Sequence, residues 1–159
     1  MYPNIYFYQS TIQELSFLEH EKFDRKEDPC KNCQLQTNWG STETLKVVTE
    51  NIFAIWWDPK VGDHSNDVSY IFEKLIFIRN DCLNNLKMAD PPNPGKGFFY
   101  NVYIHHPEST GDQDLFPNSW TYGQGTDPLG LPYLTIPHGG IYSPTLYHEI
   151  YNIYTNMEI

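Results

Sequence analysis

Phe53-Ala54-Ile55-Trp56-Trp57 is the stretch that most limits how this chain can fold. The run is apolar at every position and is closed by Asp58 and Pro59. It is too short for a helix and too apolar to leave one side in water, so it reads as a strand buried on both faces or covered by the preceding chain. The β-branched and aromatic character begins at Leu45, and residues 45–57 are expected to hold one or two strands, stopped by "DPKVGD".

Such a strand needs a covering layer. In "DVSYIFEKLIFIRNDCLNNLKMAD" the residues Val68, Ile71, Phe72, Leu75, Ile78, Cys82 and Leu86 recur three and four apart, the spacing of one helix face. The expected helix spans 67–89, with Asp67 capping its start and Pro91-Pro92 preventing continuation. "GFFYNVYIHH" (97–106) follows as a strand, 107–132 as a long loop system, and "YLTIP" (133–137) as a short strand. Ser143 is a good N-cap and Pro144 suits the first helical position, which predicts a last helix from 144 to about 157. The order of elements gives an α+β class with a small mixed sheet. Residues 1–40 read as an irregular leader packed on or beside a domain at 41–159.

Charge narrows the partners. Twenty acidic residues against ten basic ones leave a net charge of −10, which repels phosphate backbones and anionic lipid surfaces. Nucleic acid is therefore excluded as a partner. A membrane span is excluded as well, because no apolar run reaches the roughly 20 residues needed. The opening "MYPNIYFYQS" has neither the basic start nor the apolar stretch of a signal peptide.

Three cysteines leave an odd thiol after any one disulfide. Cys30-x-x-Cys33 has three readings: half a zinc knuckle with Cys82 and a histidine, a redox pair, or two turn residues beside Pro29. "HHPE" (105–108) reads as a polar turn leaving a strand. "GQGTDPLG" lacks the strand-loop-helix setting of a phosphate cradle.

The closing helix carries the chemistry. At about 100° per residue, Leu146, Ile150, Ile153 and Met157 form one apolar stripe, and His148, Glu149 and Asn152 lie on the opposite, polar front. His148-Glu149-x-x-Asn152 is one letter away from H-E-x-x-H, the helix motif that pairs two zinc ligands with a general base. The dipeptide alone is cheap, since His20-Glu21 repeats it in the leader.

Taken with "ENIFAIWWDP", the amphipathic helix behind it, "FFYNVYIHH" and "GTDPLGLPYLTIP", the segment "SPTLYHE" resembles the zincin-like domains of an uncharacterised, mostly secreted family of metallopeptidase-type proteins. There an F-A-I-W-W-type strand is followed by a backing helix, a strand, a D-x-x-G-x-P-type hairpin and an H-E-x-x-H helix. The resemblance covers residues 45–155. It implies a zincin-like fold and an extracellular location. It also implies His148 as a zinc ligand, Glu149 as the base toward a metal-bound water, and an edge strand that holds an extended peptide or protein substrate by main-chain bonds. Tyr133, Leu134 and Thr135 are the expected edge.

The chain departs from that pattern at Asn152, whose amide oxygen is a poor zinc ligand. Only seven residues follow it, so zinc is expected to be weak or absent and the domain impaired as a peptidase. A natural degenerate relative, a change introduced at 152 and a fragment lacking its third ligand all fit. An upstream ligand could come from His64, His105, His106 or His138. The alternative class is a noncatalytic interaction protein that uses an acidic, tyrosine-rich surface, and oligomeric state is not legible.

Overall fold

The computed structural model of the chain describes residues 28–37, 44–106 and 122–157. The chain divides into two units, Met1–Lys31 and Asn32–Ile159. Most of the expected leader lies outside the described residues. Within the first unit, the Asp28 carboxylate accepts a hydrogen bond from the Cys30 amide. Cys30 and Cys33 are disulfide-bonded, and Cys82 is free and buried, which removes the half-knuckle reading.

The second unit is an α+β fold: a mixed five-stranded sheet and two helices. The strands are β1 (Lys46–Glu50), β2 (Phe53–Trp57), β3 (Tyr100–His105), β4 (Gly123–Thr126) and β5 (Pro132–Pro137). The helices are α1 (Val68–Asn80) and α2 (Thr145–Met157). The sheet order is β1-β2-β3-β5-β4, with β2, β3 and β5 parallel and the two outer strands antiparallel to their neighbours.

The apolar run sits where its composition demands. β2 lies inside the sheet and all five of its residues are buried. Alternation sends Phe53, Ile55 and Trp57 to one face and Ala54 and Trp56 to the other. On the second face Ala54, Trp56 and Tyr103 pack with Leu45, Val47, Phe99 and Tyr133. Polar closure there comes from Asn101, which accepts from Trp56 Nε1 at 2.8 Å and donates to the Gln36 carbonyl at 2.8 Å. β1 and β2 are separate strands because Asn51, at φ 60°, turns the chain between them.

α1 and α2 pack on each other and against β2 and β5. α1 buries Ile71, Phe72, Leu75 and Ile78, and Cys82 is buried in the turn that follows. α2 buries Leu146, Ile150, Ile153 and Tyr154. Each such side chain contributes about 1.5–3 kcal/mol on leaving water.

Four expectations need correction. The helix over 67–89 is α-helical only to Asn80; Asp81–Asn85 is a π-helical turn in which Leu86 N–H reaches the Asp81 carbonyl, and Lys87 at φ 58° ends it. Leu86 is consequently exposed rather than part of the buried stripe. Asp67 stands at the N-cap but makes no capping bond with its side chain. Finally, part of the expected loop 107–132 is strand β4. Its sequence, Gly-Gln-Gly-Thr, carries almost no strand signal, and pairing with β5 supplies the order. The last helix begins at Thr145, one residue later than expected, and Ser143 Oγ accepts from the Thr145 amide at 3.1 Å.

Candidate functional site

α2 begins directly after β5 and a short 3-10 turn, His138–Gly140, so its first turns lie close in sequence to the sheet end. Its apolar side is pressed inward and its polar front faces out: His148 is exposed, and Glu149 and Asn152 are partly exposed. His148 Nε2 and Asn152 Nδ2 lie 3.3 Å apart, a contact in which the amide donates to the ring nitrogen. Thr155 Oγ1 reaches back to the Tyr151 carbonyl at 3.3 Å on the same helix.

The strand beside this front is β4. Gln124 donates from Nε2 to the Glu149 carbonyl at 3.0 Å and accepts from Asn156 Nδ2 at 2.9 Å. Tyr133, Leu134 and Thr135 are not an edge, because β5 is paired to β3 on one side and to β4 on the other. Their main-chain groups are consumed in the ladder, and Leu134 and Thr135 are buried. Among the described strands the outer positions fall to β1 and β4, and β4 is the one beside β5. A Cβ at Gly125 would run into the Tyr133 ring and one at Gly123 would lie 2.9 Å from Thr135 Oγ1, so both glycines let side chains of β5 lie against β4.

Three of the four upstream histidines, His64, His106 and His138, gather with one another where the parallel strands finish. His105 ends β3 and is buried. His64, His106 and His138 follow β2, β3 and β5 in turn. His64 Nε2 and His106 Nε2 are 2.8 Å apart, and the His106 ring is stacked on His138 with 4.0 Å between centroids and a 5° interplanar angle. His64 Nδ1 lies 2.8 Å from Asp67 Oδ2, and Tyr142 donates to Asp67 Oδ1 at 2.6 Å. Trp57 closes one side with an edge-on contact to His64.

Asp67 is the charge that organises this cluster. Burial alone would raise its carboxyl, but hydrogen bonds from Tyr142 and His64 outweigh burial and hold it below the usual carboxylate range. The same bond pushes the Tyr142 hydroxyl up. Among the described residues no group of three or more His, Cys, Asp or Glu side chains is arranged to hold a metal ion. His148 and Glu149 are thus not joined there by a third ligand of those types, and Asn152 is what stands beside His148.

Sequence reasoning missed the Tyr142–Asp67–His64–His106 chain. Its only signals were histidines just after three buried strands and the His64-x-x-Asp67 spacing. No helix among the described residues is long and apolar enough to cross a membrane. No family model, curated protein or solved structure matches the chain.

Proposed function

We propose that the chain is a zincin-like, metallopeptidase-type domain, impaired for hydrolysis, in which α2 offers His148 and Glu149 to a weakly held zinc and the β4 edge receives an extended peptide. The observation that carries this reading is the seating of β4 against the polar front of α2 through Gln124. The order strand, backing helix, strand, hairpin, motif helix, here β2, α1, β3, β4–β5 and α2, supports it. Main-chain pairing along an outer strand is how such a cleft takes a substrate without reading its side chains closely. Zinc at His148 would polarise a water for Glu149 to deprotonate, and Asn152 supplies a neutral amide where a second imidazole is needed.

The test is zinc affinity of Asn152→His against the unaltered chain, by competition with a chromogenic chelator. A gain of tenfold or more that disappears when His148→Ala is added supports the reading. An Asn152→His chain that binds zinc no better than its parent removes it.

A second reading, a noncatalytic interaction protein, draws on the groove between α1 and α2. About 400 Å³ in volume, it is lined by Glu73, Lys74, Phe77, Ile78, Tyr147 and Tyr151. Phe77 is 67% exposed and Tyr147 41%, more apolar surface than two packed helices need to show. With a net charge of −10, its partner would be basic and would associate faster at low salt. A peptide that perturbs the 123–126 amides favours the first reading; one that perturbs Phe77 and Tyr147 favours the second.

A further inference from the structure

The ends of parallel strands are where open α/β sheets bind their ligands, and in this domain that edge is furnished with imidazoles. Three independent observations meet there. The ring nitrogens His64 Nε2 and His106 Nε2 converge to 2.8 Å from positions 42 residues apart. His64 is held from behind by Asp67, which is itself held by Tyr142. And a Cβ built on Gly62 would lie 2.7 Å from His106 Nε2 and 3.2 Å from His64 Nε2, so a glycine is what lets both rings lie this close to the backbone.

We propose that His64 and His106 form a binding site for a borderline divalent transition-metal ion, zinc foremost, held through their two Nε2 atoms. The donor set fits such an ion: neutral imidazole suits zinc, and a carboxylate on the far ring nitrogen is the usual support of a metal-bound histidine. With its Nδ1 proton given to Asp67, His64 presents a lone pair at Nε2. In the ion-free contact His106 Nε2 carries the proton shared with His64, and on loading His106 changes tautomer, that proton leaving Nε2 to water and another being taken up at Nδ1, so no net proton is lost. Two nitrogens about 2.0–2.1 Å from a tetrahedral zinc lie about 3.3 Å apart, so the rings must part by about 0.5 Å.

His138 is not a third ligand as placed. Its ring is parallel to His106, so the in-plane lone pairs of the two rings do not converge; it fixes the plane of His106 instead. Among the described residues the site therefore provides two protein ligands and not the four of a structural zinc.

Zinc titration of the chelator-stripped full chain, read by competition with a chromogenic chelator, tests this. One equivalent is expected, weakened at least tenfold by His106→Gln. Asp67→Asn, which touches no metal, is expected to weaken it by about 10–100-fold. His148→Ala still takes up its equivalent at this pair. Failure of the chain to bind zinc overturns the proposal, as does binding that survives His106→Gln, or binding abolished by His148→Ala. Should the His106 variant not fold, imidazole 15N spectra of the unaltered chain decide: zinc must shift the Nε2 resonances of His64 and His106, and unshifted resonances mean that the contact is only an N–H···N hydrogen bond.

Discussion

His148 and His64 each present an Nε2 atom to a neighbour, but the neighbour of His148 is four residues away on the same helix and that of His64 is 42 residues away on another segment. The first contact is exposed and spans 3.3 Å; the second is partly buried and spans 2.8 Å. Around His148 the polar contacts run mainly along the helix itself. Around His64 they come from Asp67 and His106, with the Trp57 ring edge-on beside them, and Asp67 is tied in turn to Tyr142, 75 residues further on. A motif legible in five letters has little geometry behind it, while a constellation with no motif has a great deal. Local spacing therefore places a histidine on a helix face, but long-range closure decides whether it is held in one orientation.

The largest effect expected separates the two sides of α2. Ile150→Ala removes a fully buried side chain from the packing against the sheet and should cost about 2–5 kcal/mol, lowering the urea midpoint accordingly. His148→Ala, two residues earlier, should leave the midpoint unchanged. Equal losses from the two substitutions would mean that the polar front of α2 is buried in solution, and the contrast with His64 would collapse.

That contrast also marks how much of the molecule could be read in advance. β2, α1, β3, β5 and α2 were legible because each buries a face whose period is written in consecutive residues, as Ile71, Phe72, Leu75 and Ile78 do along α1. β4 was not, since Gly123 and Gly125 have no side chains to alternate and the strand exists through its ladder to β5. The edge was assigned to Tyr133–Thr135 for the same reason: neighbours in a sheet are a property of topology, which β-propensity does not encode. Asp67 was read as a cap from its position alone. Its oxygens instead go to His64, three residues back, and to Tyr142, a partner that no local window contains.

Asp67 gives the next effect. Asp67→Ala at neutral pH removes two hydrogen bonds and should cost about 1–3 kcal/mol, at roughly 0.5–1.5 each. The pH dependence of Asp67→Asn sharpens the point. With the carboxyl held below its ordinary value in the fold, its contribution is complete above the unfolded value of about 3.9 and is lost as pH falls through the lower, folded value. The stability gap between parent and Asp67→Asn should thus be full at pH 5 and above and narrow on acidification below about pH 3.9. A gap that is constant with pH, followed by urea unfolding at each step, would show that Asp67 contributes through shape and not through charge.

Asn152→Ala should have the smallest effect, and its sign is informative. The substitution removes an exposed donor at 3.3 Å from His148 and a marginal acceptor at 3.5 Å from Thr155. An exposed contact of that length contributes at most a few tenths of a kcal/mol net, about the low end of the range for a hydrogen bond. Alanine, on the other side, is the better helix former by up to about 0.7 kcal/mol, because it loses no rotamer freedom and does not compete for backbone groups. The two terms leave the variant as stable as the parent or slightly more so, with thermal unfolding as the readout. Asparagine at 152 is then not there for the helix, and an explanation for it must come from what α2 meets beyond itself. A loss of 1 kcal/mol or more would instead make Asn152 a structural residue and put His148 in the same class as His64, held in place by its surroundings.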